Sequence, residues 1–321
     1  MKKFKTLVVM DAASELAETS PKIRERLQKL ADKVQIHREI LQKPEEIRRR
    51  IGQAEAILLG WTQISKEVIR SSPNLRYIGV IATGFNMVNL EAARQKKIVV
   101  TNVPSYSTHT VAEFLFGQLI TFLRRSIPAE RSLQEGRWDR MAFMGEELEG
   151  KTLGLVGLGQ IGQRVAKIAQ VFGMKVIYWN RHRKPVWEKR GVCYRSFPKL
   201  LRESDVVSLH VVLNQETVGM IGVRELALMK REGVLINFAR GPIVQKGPLI
   251  RALNQGKLGG ALIDVYDREP VDPKDPLLKA KNLFLSPHIA WLTRQSNERM
   301  FSINIGNAEA FLRGIPQNVV S

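Results

Sequence analysis

The chain alternates short apolar runs with amphipathic stretches in both halves of its length. In the first half the apolar runs lie at 5–10, 56–60, 75–82 and 98–101, with helical stretches near 21–32 and 65–71. In the second half they lie at 153–157, 176–179, 206–210, 234–238, 260–265 and 283–286. Strands that alternate with helices are typical of βαβ units. The pattern therefore predicts an α/β fold built on parallel sheets.

Two longer helices complete this pattern. The first begins at Thr108 and is expected to run to Ile127, where Pro128 should stop it because proline cannot donate a backbone hydrogen bond. Its apolar breadth indicates burial on several sides. The second is expected near residues 293–313.

A glycine turn, G-L-G-Q-I-G at 157–162, follows the apolar run and opens an amphipathic helix. In such a turn Gly157 permits the tight bend, Gly159 lets the backbone approach a pyrophosphate, and Gly162 lets the helix pack closely on the strand. Backbone amides at a helix start bind anionic oxygens. The order of strand, turn, helix and second strand therefore predicts a dinucleotide site.

The second strand of this unit ends at Asn180, at the position where an acidic residue would bind the ribose hydroxyls of NAD. Arg181 and Arg183 follow it, and guanidinium groups suit a 2′-phosphate. Residues 181–202 hold eight lysines and arginines against one acid, Glu188. We therefore expect NADP(H) to be the preferred cofactor, with NAD(H) as the second.

Composition and charge narrow the class of protein. A chain of 321 residues with 44% hydrophobic and 25% charged residues is typical of globular proteins. The net charge of +19 raises nucleic acid as a partner, but the sequence has no zinc-finger spacing and no basic region ahead of heptads. Anionic small molecules account for the charge as well, so no specific nucleic acid is expected.

The single cysteine, Cys193, excludes an internal disulfide and a cysteine-rich metal site, and no metal is predicted. The first apolar run stops at Asp11 and is interpreted as a strand rather than a signal peptide. No apolar stretch reaches the roughly 18 residues that a membrane span requires. We expect a soluble, cytoplasmic protein without a membrane partner.

Three polar residues follow predicted strands of the second half: Arg240, Glu269 and His288. Open α/β sheets place their ligands at the carboxyl ends of strands. An arginine, a carboxylate and a histidine together can hold a 2-oxo acid and protonate it. Each residue alone has an ordinary alternative as a turn or solvated residue, so the prediction depends on the three together.

With the glycine turn, these segments resemble the D-2-hydroxyacid dehydrogenase family over nearly the whole chain. The motifs are I-A-T-G-F-N at 81–86, V-A-E at 111–113, N-F-A-R-G-P at 237–242, D-V-Y-D-R-E-P at 264–270 and S-P-H-I-A-W at 286–291. The resemblance implies two doubly wound parallel-sheet domains. A Rossmann dinucleotide-binding domain, 102–289, would be inserted in a flavodoxin-like substrate domain, 1–101 plus 290–321. It also implies a homodimer.

The resemblance assigns roles by position. Arg240 would grip the carboxylate and carbonyl oxygens of the substrate, His288 would protonate the carbonyl oxygen, and Glu269 would hold the other ring nitrogen. The implied substrate-binding residues are Ala82, Thr83, Gly84, Arg240 and His288. The implied cofactor-binding residues are Gly157, Gly159, Gln160, Ile161, Gly162, Asn180, Arg181, Arg183, Phe238, Ala239 and Asp264. Aspartates are frequent in the family where this chain has Asn86 and Asn89.

Within the family, the ending P-H-I-A-W and the loop G-R-W-D-R resemble hydroxypyruvate reductases, with glyoxylate reductases as near neighbours. The implied reaction is the NADP(H)-dependent reduction of hydroxypyruvate or glyoxylate to glycerate or glycolate, with hydride from nicotinamide C4 and a proton from His288. Small 2-oxo acids differ by groups worth about 1–3 kcal/mol in a pocket, so the substrate stays open. The alternative is a non-catalytic dinucleotide-sensing protein of corepressor type.

Overall fold

The computed structural model describes residues 2–11 and 20–321, which divide into two compact units. Unit 1 comprises Met1–Ser107 and Thr293–Ser321, and unit 2 comprises Thr108–Leu292. Unit 2 is thus inserted in the chain of unit 1. Unit 2 begins at Thr108 and ends at Leu292, whereas the dinucleotide-binding domain was expected at 102–289, and the assignment of these units as substrate and dinucleotide domains stays a prediction.

The strands are named in chain order. Those of unit 1 are β1 (Phe4–Met10), β2 (Ala31–His37), β3 (Ala56–Leu59), β4 (Tyr77–Val80) and β5 (Val99–Thr101). Those of unit 2 are β6 (Thr152–Val156), β7 (Lys175–Trp179), β8 (Val192–Tyr194), β9 (Val206–Leu209), β10 (Val234–Asn237), β11 (Gly260–Ile263) and β12 (Leu283–Leu285).

The helices are named in the same way. The first six are α1 (Pro21–Leu30), α2 (Pro44–Ile51), α3 (Lys66–Arg70), α4 (Leu90–Gln95), α5 (Thr108–Leu123) and α6 (Ser126–Gln134). The others are α7 (Gln160–Val171), α8 (Pro185–Glu188), α9 (Phe197–Glu203), α10 (Val223–Leu228), α11 (Lys246–Asn254) and α12 (Arg294–Leu312). Across the described ranges, none of them has the length and hydropathy to traverse a bilayer.

The sheet of unit 1 has the strand order β2-β1-β3-β4-β5, and every pair of neighbours is parallel. This is the flavodoxin-like order. Every residue of β3 and β4 is buried, because a parallel sheet is covered on both faces. The continuous apolar runs that predicted these strands are the direct result of that burial.

The sheet of unit 2 has the strand order β12-β11-β10-β9-β6-β7-β8, again parallel throughout. Its strand order reverses between β6 and β9, as in the Rossmann fold. Such a switch point opens a crevice at the carboxyl ends of the strands, where ligands bind. The predicted fold class, with two doubly wound parallel sheets, is therefore confirmed.

The long helix differs from the prediction. α5 ends at Leu123, and Arg125 then turns the chain with a φ of 51°. Pro128 lies in the first turn of the next helix, α6, where its missing amide costs no intrahelical hydrogen bond. The prediction that one helix runs to Ile127 and stops at Pro128 is therefore wrong.

The close contact at Gly162 generates a stability prediction. A Cβ at this position would lie 2.5 Å from the carbonyl oxygen of Gly157, so Gly162→Ala should lower the free energy of unfolding by about 1–3 kcal/mol. As a control, Gly306→Ala in the open interior of α12 should raise it by roughly 0.5–1 kcal/mol. Urea denaturation measures both. Equal stability of wild type and Gly162→Ala would contradict the packing account.

Candidate active site

The buried carboxylate of Asp264, directly after β11, holds the segment that carries His288. Its Oδ1 accepts the Ser286 hydroxyl at 2.5 Å and the Ile289 amide at 2.9 Å. Its Oδ2 accepts the Ala290 amide at 2.8 Å. These bonds fix the backbone on both sides of His288, whose φ of 56° lies in the left-handed region that few non-glycine residues adopt.

The imidazole of His288 pairs with the carboxylate of Glu269. Nδ1 of His288 lies 2.6 Å from Oε2 of Glu269, and Oε1 accepts the Tyr266 amide at 3.0 Å. The Tyr266 hydroxyl also donates to the Ser286 carbonyl at 2.9 Å. Tyr266 therefore connects the Glu269 loop to the His288 segment. The side chains of His288 and Glu269 are 22% and 31% exposed, so small molecules can reach the pair.

Hydrogen bonding and charge keep Glu269 ionised. Burial alone would raise the pKa of Glu269, but the hydrogen bonds from His288 and the Tyr266 amide, with the charges of His288 and Arg240, lower it overall. The pKa of Asp264 is raised instead, because burial outweighs the hydrogen bonds that it accepts. An ionised Glu269 at Nδ1 determines which ring nitrogen of His288 keeps its proton.

Arg240 lies in the turn that follows β10. The buried side chain of Asn237 shapes this turn, because it accepts the Ala239 amide and donates to the Arg240 carbonyl. Nη1 of Arg240 donates to the Ala239 carbonyl at 2.7 Å. A Cβ at Gly241 would lie 2.1 Å from the carbonyl carbon of Tyr266. Only glycine therefore permits the Arg240 turn to contact the loop that carries Glu269.

The three glycines of the turn after β6 have different surroundings. Gly157 has a φ of 101°, and a Cβ there would lie 2.7 Å from the His210 carbonyl oxygen. Gly162 contacts the Gly157 carbonyl in the same way. At Gly159 a Cβ would meet no neighbouring atom of the described residues within 4 Å. The turn is thus packed on one side and open at Gly159, as a pyrophosphate requires.

The His210 side chain lies beside this turn and is structural in character. It hydrogen-bonds to the Ser208 hydroxyl at 3.0 Å. Burial lowers the pKa of His210 to about 4, so the imidazole is neutral near pH 7. It is therefore no candidate for a proton donor at that pH.

Asn180, at the end of β7, closes the turn from the neighbouring strand. Its Oδ1 accepts the Leu158 amide at 3.2 Å, and its Nδ2 donates to the His182 carbonyl at 2.8 Å. Both ends of the side-chain amide are thus used within the protein. The position that carries a ribose-binding acid in NAD sites here supports the glycine turn.

The two arginines after Asn180 are each paired with a glutamate. Arg181 donates to Glu216 at 3.0 Å, and both side chains are largely exposed. Arg183 donates from Nε and Nη2 to the two carboxylate oxygens of Glu188. Part of the positive charge of residues 181–202 is therefore neutralised by ion pairs. One partner, Glu188, lies within this range, and the other, Glu216, lies outside it.

Comparison with known proteins identifies the family of the chain. Residues 116–290 match the family model for the D-isomer specific 2-hydroxyacid dehydrogenase, NAD binding domain. The chain belongs to this family. The dehydrogenase is therefore an NAD(P)-dependent oxidoreductase, and the family predicted from the motifs is confirmed.

Individual relatives cover most of the dehydrogenase chain. It is 36% identical to a hydroxypyruvate reductase of Blautia hydrogenotrophica over 92% of its length and 94% of the relative's. It is 41% identical to a glyoxylate reductase of Aeropyrum pernix over 81% of its length and 80% of the relative's. No single substrate name is shared by these relatives.

Solved structures give the same fold. An acyclic imino acid reductase in complex with NADPH and D-Arg superposes with a TM-score of 0.90 at 28% identity, over 98% of this chain and 100% of that one. D-Lactate dehydrogenase from Aquifex aeolicus, complexed with NAD and lactic acid, gives 0.85 at 30% identity over 96% of both chains. The two structures hold different nicotinamide cofactors.

The other predicted cofactor residues of the dehydrogenase lie at the same sheet edge. Gln160 and Ile161 begin α7, whose first amides have no intrahelical acceptor. Phe238 packs on Phe114 with 5.4 Å between ring centroids, directly after β10. Asp264 lies directly after β11 with its carboxylate buried against the His288 segment. Contact of these residues with the cofactor stays a prediction.

The predicted substrate loop lies in unit 1, after β4. The Ala82 carbonyl accepts the Val103 amide, and the Thr83 carbonyl accepts the Asn102 side chain at 2.7 Å. Within residues 2–11 and 20–321, the amides at 82–84 donate no hydrogen bond. Asn89, one of the departures from the family pattern, caps α4 through the Ala92 amide. A role of this loop in holding a carboxylate stays a prediction.

Sequence reasoning missed several residues that support the site. Tyr266 and Asn237 carry no charge and stand inside motifs whose other members have assigned roles, so nothing in the pattern singled them out. Glu216 is 35 residues from Arg181. The role of Ser286 depends on its hydrogen bond to Asp264, which the sequence does not reveal. Such partners depend on the packing of loops from different strands.

The lowered pKa of Glu269 generates a pH prediction. A carboxyl group whose folded pKa is depressed stabilises the protein above its unfolded pKa, about 4.3 for glutamate, and the effect is lost as pH falls through the folded value. Glu269→Gln should therefore lose stability at pH 7. The difference from wild type in the free energy of unfolding should shrink below about pH 4.3.

Urea denaturation between acid and neutral pH measures this difference. Glu298→Gln is the control, because Glu298 is exposed on α12 and its carboxylate makes no hydrogen bond within the described residues. That variant should follow wild type at every pH. A Glu269→Gln difference that stays constant across the acid range would contradict the assigned role of the His288 bond.

Proposed function

We propose that this dehydrogenase reduces a small 2-oxo acid, hydroxypyruvate or glyoxylate, to the D-2-hydroxy acid with NADPH as the preferred cofactor. The observation that carries the proposal is the Glu269–His288 pair beside the Arg240 turn. All three residues lie at the carboxyl edge of the sheet that also carries the glycine turn. The names of the relatives as hydroxypyruvate and glyoxylate reductases support this substrate class.

His288 is the proposed proton donor to the carbonyl oxygen of the substrate. Because Nδ1 faces the ionised carboxylate of Glu269, it keeps its hydrogen, and Nε2 on the opposite side of the ring exchanges its proton. The bound cofactor would supply the hydride that adds to C2 of the 2-oxo acid. In the reverse direction neutral Nε2 accepts the hydroxyl proton.

Arg240 is the proposed anchor for the oxygens of the substrate. One of its five N–H donors is used by the Ala239 carbonyl, which fixes the guanidinium close to its own turn. The donors that remain form a planar fork that matches a carboxylate and the adjacent carbonyl oxygen. The same positive charge stabilises negative charge that develops on the carbonyl oxygen during reduction.

The preference for NADPH is argued from the end of β7. Asn180 brings no negative charge to repel a 2′-phosphate, and its side chain is engaged with the glycine turn. Arg181 and Arg183 follow it with exposed side chains. Exposed ion pairs are worth about 0–1 kcal/mol, so a phosphate can compete with Glu216 for Arg181.

A substrate panel tests the reaction. NADPH and NADH oxidation is followed by absorbance with hydroxypyruvate, glyoxylate, pyruvate and phosphohydroxypyruvate as substrates. We expect turnover with the first two and a higher kcat/KM with NADPH than with NADH. Tight cofactor binding without oxidation of either cofactor would support the corepressor-type alternative instead.

A variant of His288 tests the proton donor. His288→Asn keeps a residue that tolerates the left-handed backbone and removes the transferable proton. It should lower kcat by a factor of about 10²–10⁴ with an unchanged Kd for NADPH. His37→Asn, in unit 1 at the end of β2, is the matched control and should retain full activity. A fully active His288→Asn enzyme would remove His288 from the mechanism.

We also propose that the chain forms a homodimer through α6 and the loop that follows it. Five large apolar side chains are exposed there: Ile127, Leu133, Trp138, Met141 and Met144. Trp138 is the most exposed of the five, at 78%. Apolar side chains gathered in one segment mark protein contact surfaces, whereas scattered ones do not. The family resemblance implies a dimer in which the helix predicted near 108–127 and the loop after it cross between subunits.

Light scattering after size exclusion tests the dimer. Wild type should give twice the 36.4 kDa of one chain. Trp138→Asp combined with Met141→Asp should give a single-chain mass, because two charges would be buried at the contact. Val171→Asp, an exposed apolar position on α7, is the control and should leave the mass unchanged. A wild-type monomer would contradict the proposal.

A further inference from the structure

The guanidinium of Arg183 is held more firmly than its exposure suggests. Its Nε donates to Oε1 of Glu188 at 3.1 Å and its Nη2 donates to Oε2 at 2.5 Å. The same guanidinium lies over the ring of Tyr194, with 5.0 Å from Cζ to the ring centroid. A bidentate bond and a stacked ring together restrict the guanidinium plane.

Glu188 is in turn fixed to the core of unit 2. The hydroxyl of Tyr178 donates to Oε1 of Glu188 at 2.8 Å and accepts the Lys184 amide at 2.6 Å. Tyr178 lies on β7 and is fully buried. Hydrogen bonds from Arg183 and then Tyr178 lower the pKa of Glu188, so it stays ionised at neutral pH. The carboxylate is therefore a rigid support for Arg183.

The hydrogen bonds to Glu188 use one edge of the Arg183 guanidinium and leave the donors of a second edge available for a ligand. Nε and one hydrogen of Nη2 face the carboxylate, whereas both hydrogens of Nη1 and the second hydrogen of Nη2 are not used by Glu188. That second edge is again a fork of parallel donors, which suits two oxygens of a phosphate.

The pair formed by Arg181 and Glu216 has a different character. It has one hydrogen bond of 3.0 Å, and its side chains are 70% and 63% exposed. Exposed pairs of this kind restrict the arginine little. Glu216 also comes from the loop after β9, on the far side of β6 from β7. It competes for Arg181 rather than orienting it.

We propose that Glu188 is a positioning residue for NADPH selectivity, because it holds Arg183 with its second donor edge available to the 2′-phosphate. The inference rests on the proposed preference for NADPH. It predicts that loss of a negative charge at position 188 weakens NADPH binding. Simple electrostatics predicts the reverse, because a carboxylate repels a phosphate.

Glu188→Gln and Glu216→Gln are the matched pair for the test, since each removes one negative charge beside one of the two arginines. The Kd values of NADPH and NADH are measured for each by fluorescence titration without substrate. Glu188→Gln should weaken NADPH binding by about fivefold to tenfold and leave NADH unchanged. Glu216→Gln should bind NADPH as tightly as wild type or more tightly.

Three outcomes overturn the inference. They are unchanged or tighter NADPH binding by Glu188→Gln, an equal loss of NADH binding, and an equal loss of NADPH binding in Glu216→Gln. Should Glu188→Gln fail to fold, Tyr178→Phe carries the test, because it removes the hydroxyl that supports Glu188 and the Lys184 amide and keeps the buried ring. It should weaken NADPH binding selectively by a smaller factor, and unchanged binding would again overturn the inference.

Arg183→Ala separates this inference from the proposed cofactor preference. If that variant keeps the wild-type ratio of the two Kd values, the assignment of Arg183 to a 2′-phosphate site is wrong. If Arg183→Ala loses NADPH selectivity while Glu188→Gln retains it, the site stands and only the positioning role of Glu188 fails.

Discussion

The bonds that the Asp264 carboxylate accepts from the chain after β12 are the constraint on which the site depends. They hold Ser286, Ile289 and Ala290, and His288 stands between these fixed points in a left-handed conformation. A histidine in that conformation costs backbone energy that the surrounding contacts must offset. Burial raises the pKa of Asp264 despite the hydrogen bonds that its carboxylate accepts.

The rest of the site follows from one continuous sheet. Arg240, Glu269 and His288 come after neighbouring strands, β10 to β12, and the glycine turn comes after β6 in the same sheet. Backbone hydrogen bonds from strand to strand therefore set the distance between the glycine turn and the Glu269–His288 pair. Loops then adjust individual side chains, as Gly241 does where the Arg240 turn meets Tyr266.

Features that depend on local pattern were predictable from the sequence. Apolar runs gave the buried strands, the three glycines gave the turn, and parallel topology placed Arg240, Glu269 and His288 at one edge. Features that depend on contacts between distant loops were not. Asp264 binds residues 22 to 26 positions away, and Arg181 binds Glu216 from a separate loop. The prediction that Pro128 stops a helix was wrong because the effect of a proline depends on its place within a helix, and Pro128 lies in the first turn of α6.

The proposed reaction brings a nicotinamide hydride to C2 of a small 2-oxo acid at this sheet edge. The most direct test is the mass of the product made from hydroxypyruvate and NADPH that carries deuterium at both C4 positions. We expect one deuterium, bound to carbon 2 of the hydroxy acid. Oxidation of the cofactor with no deuterium in the product would contradict it.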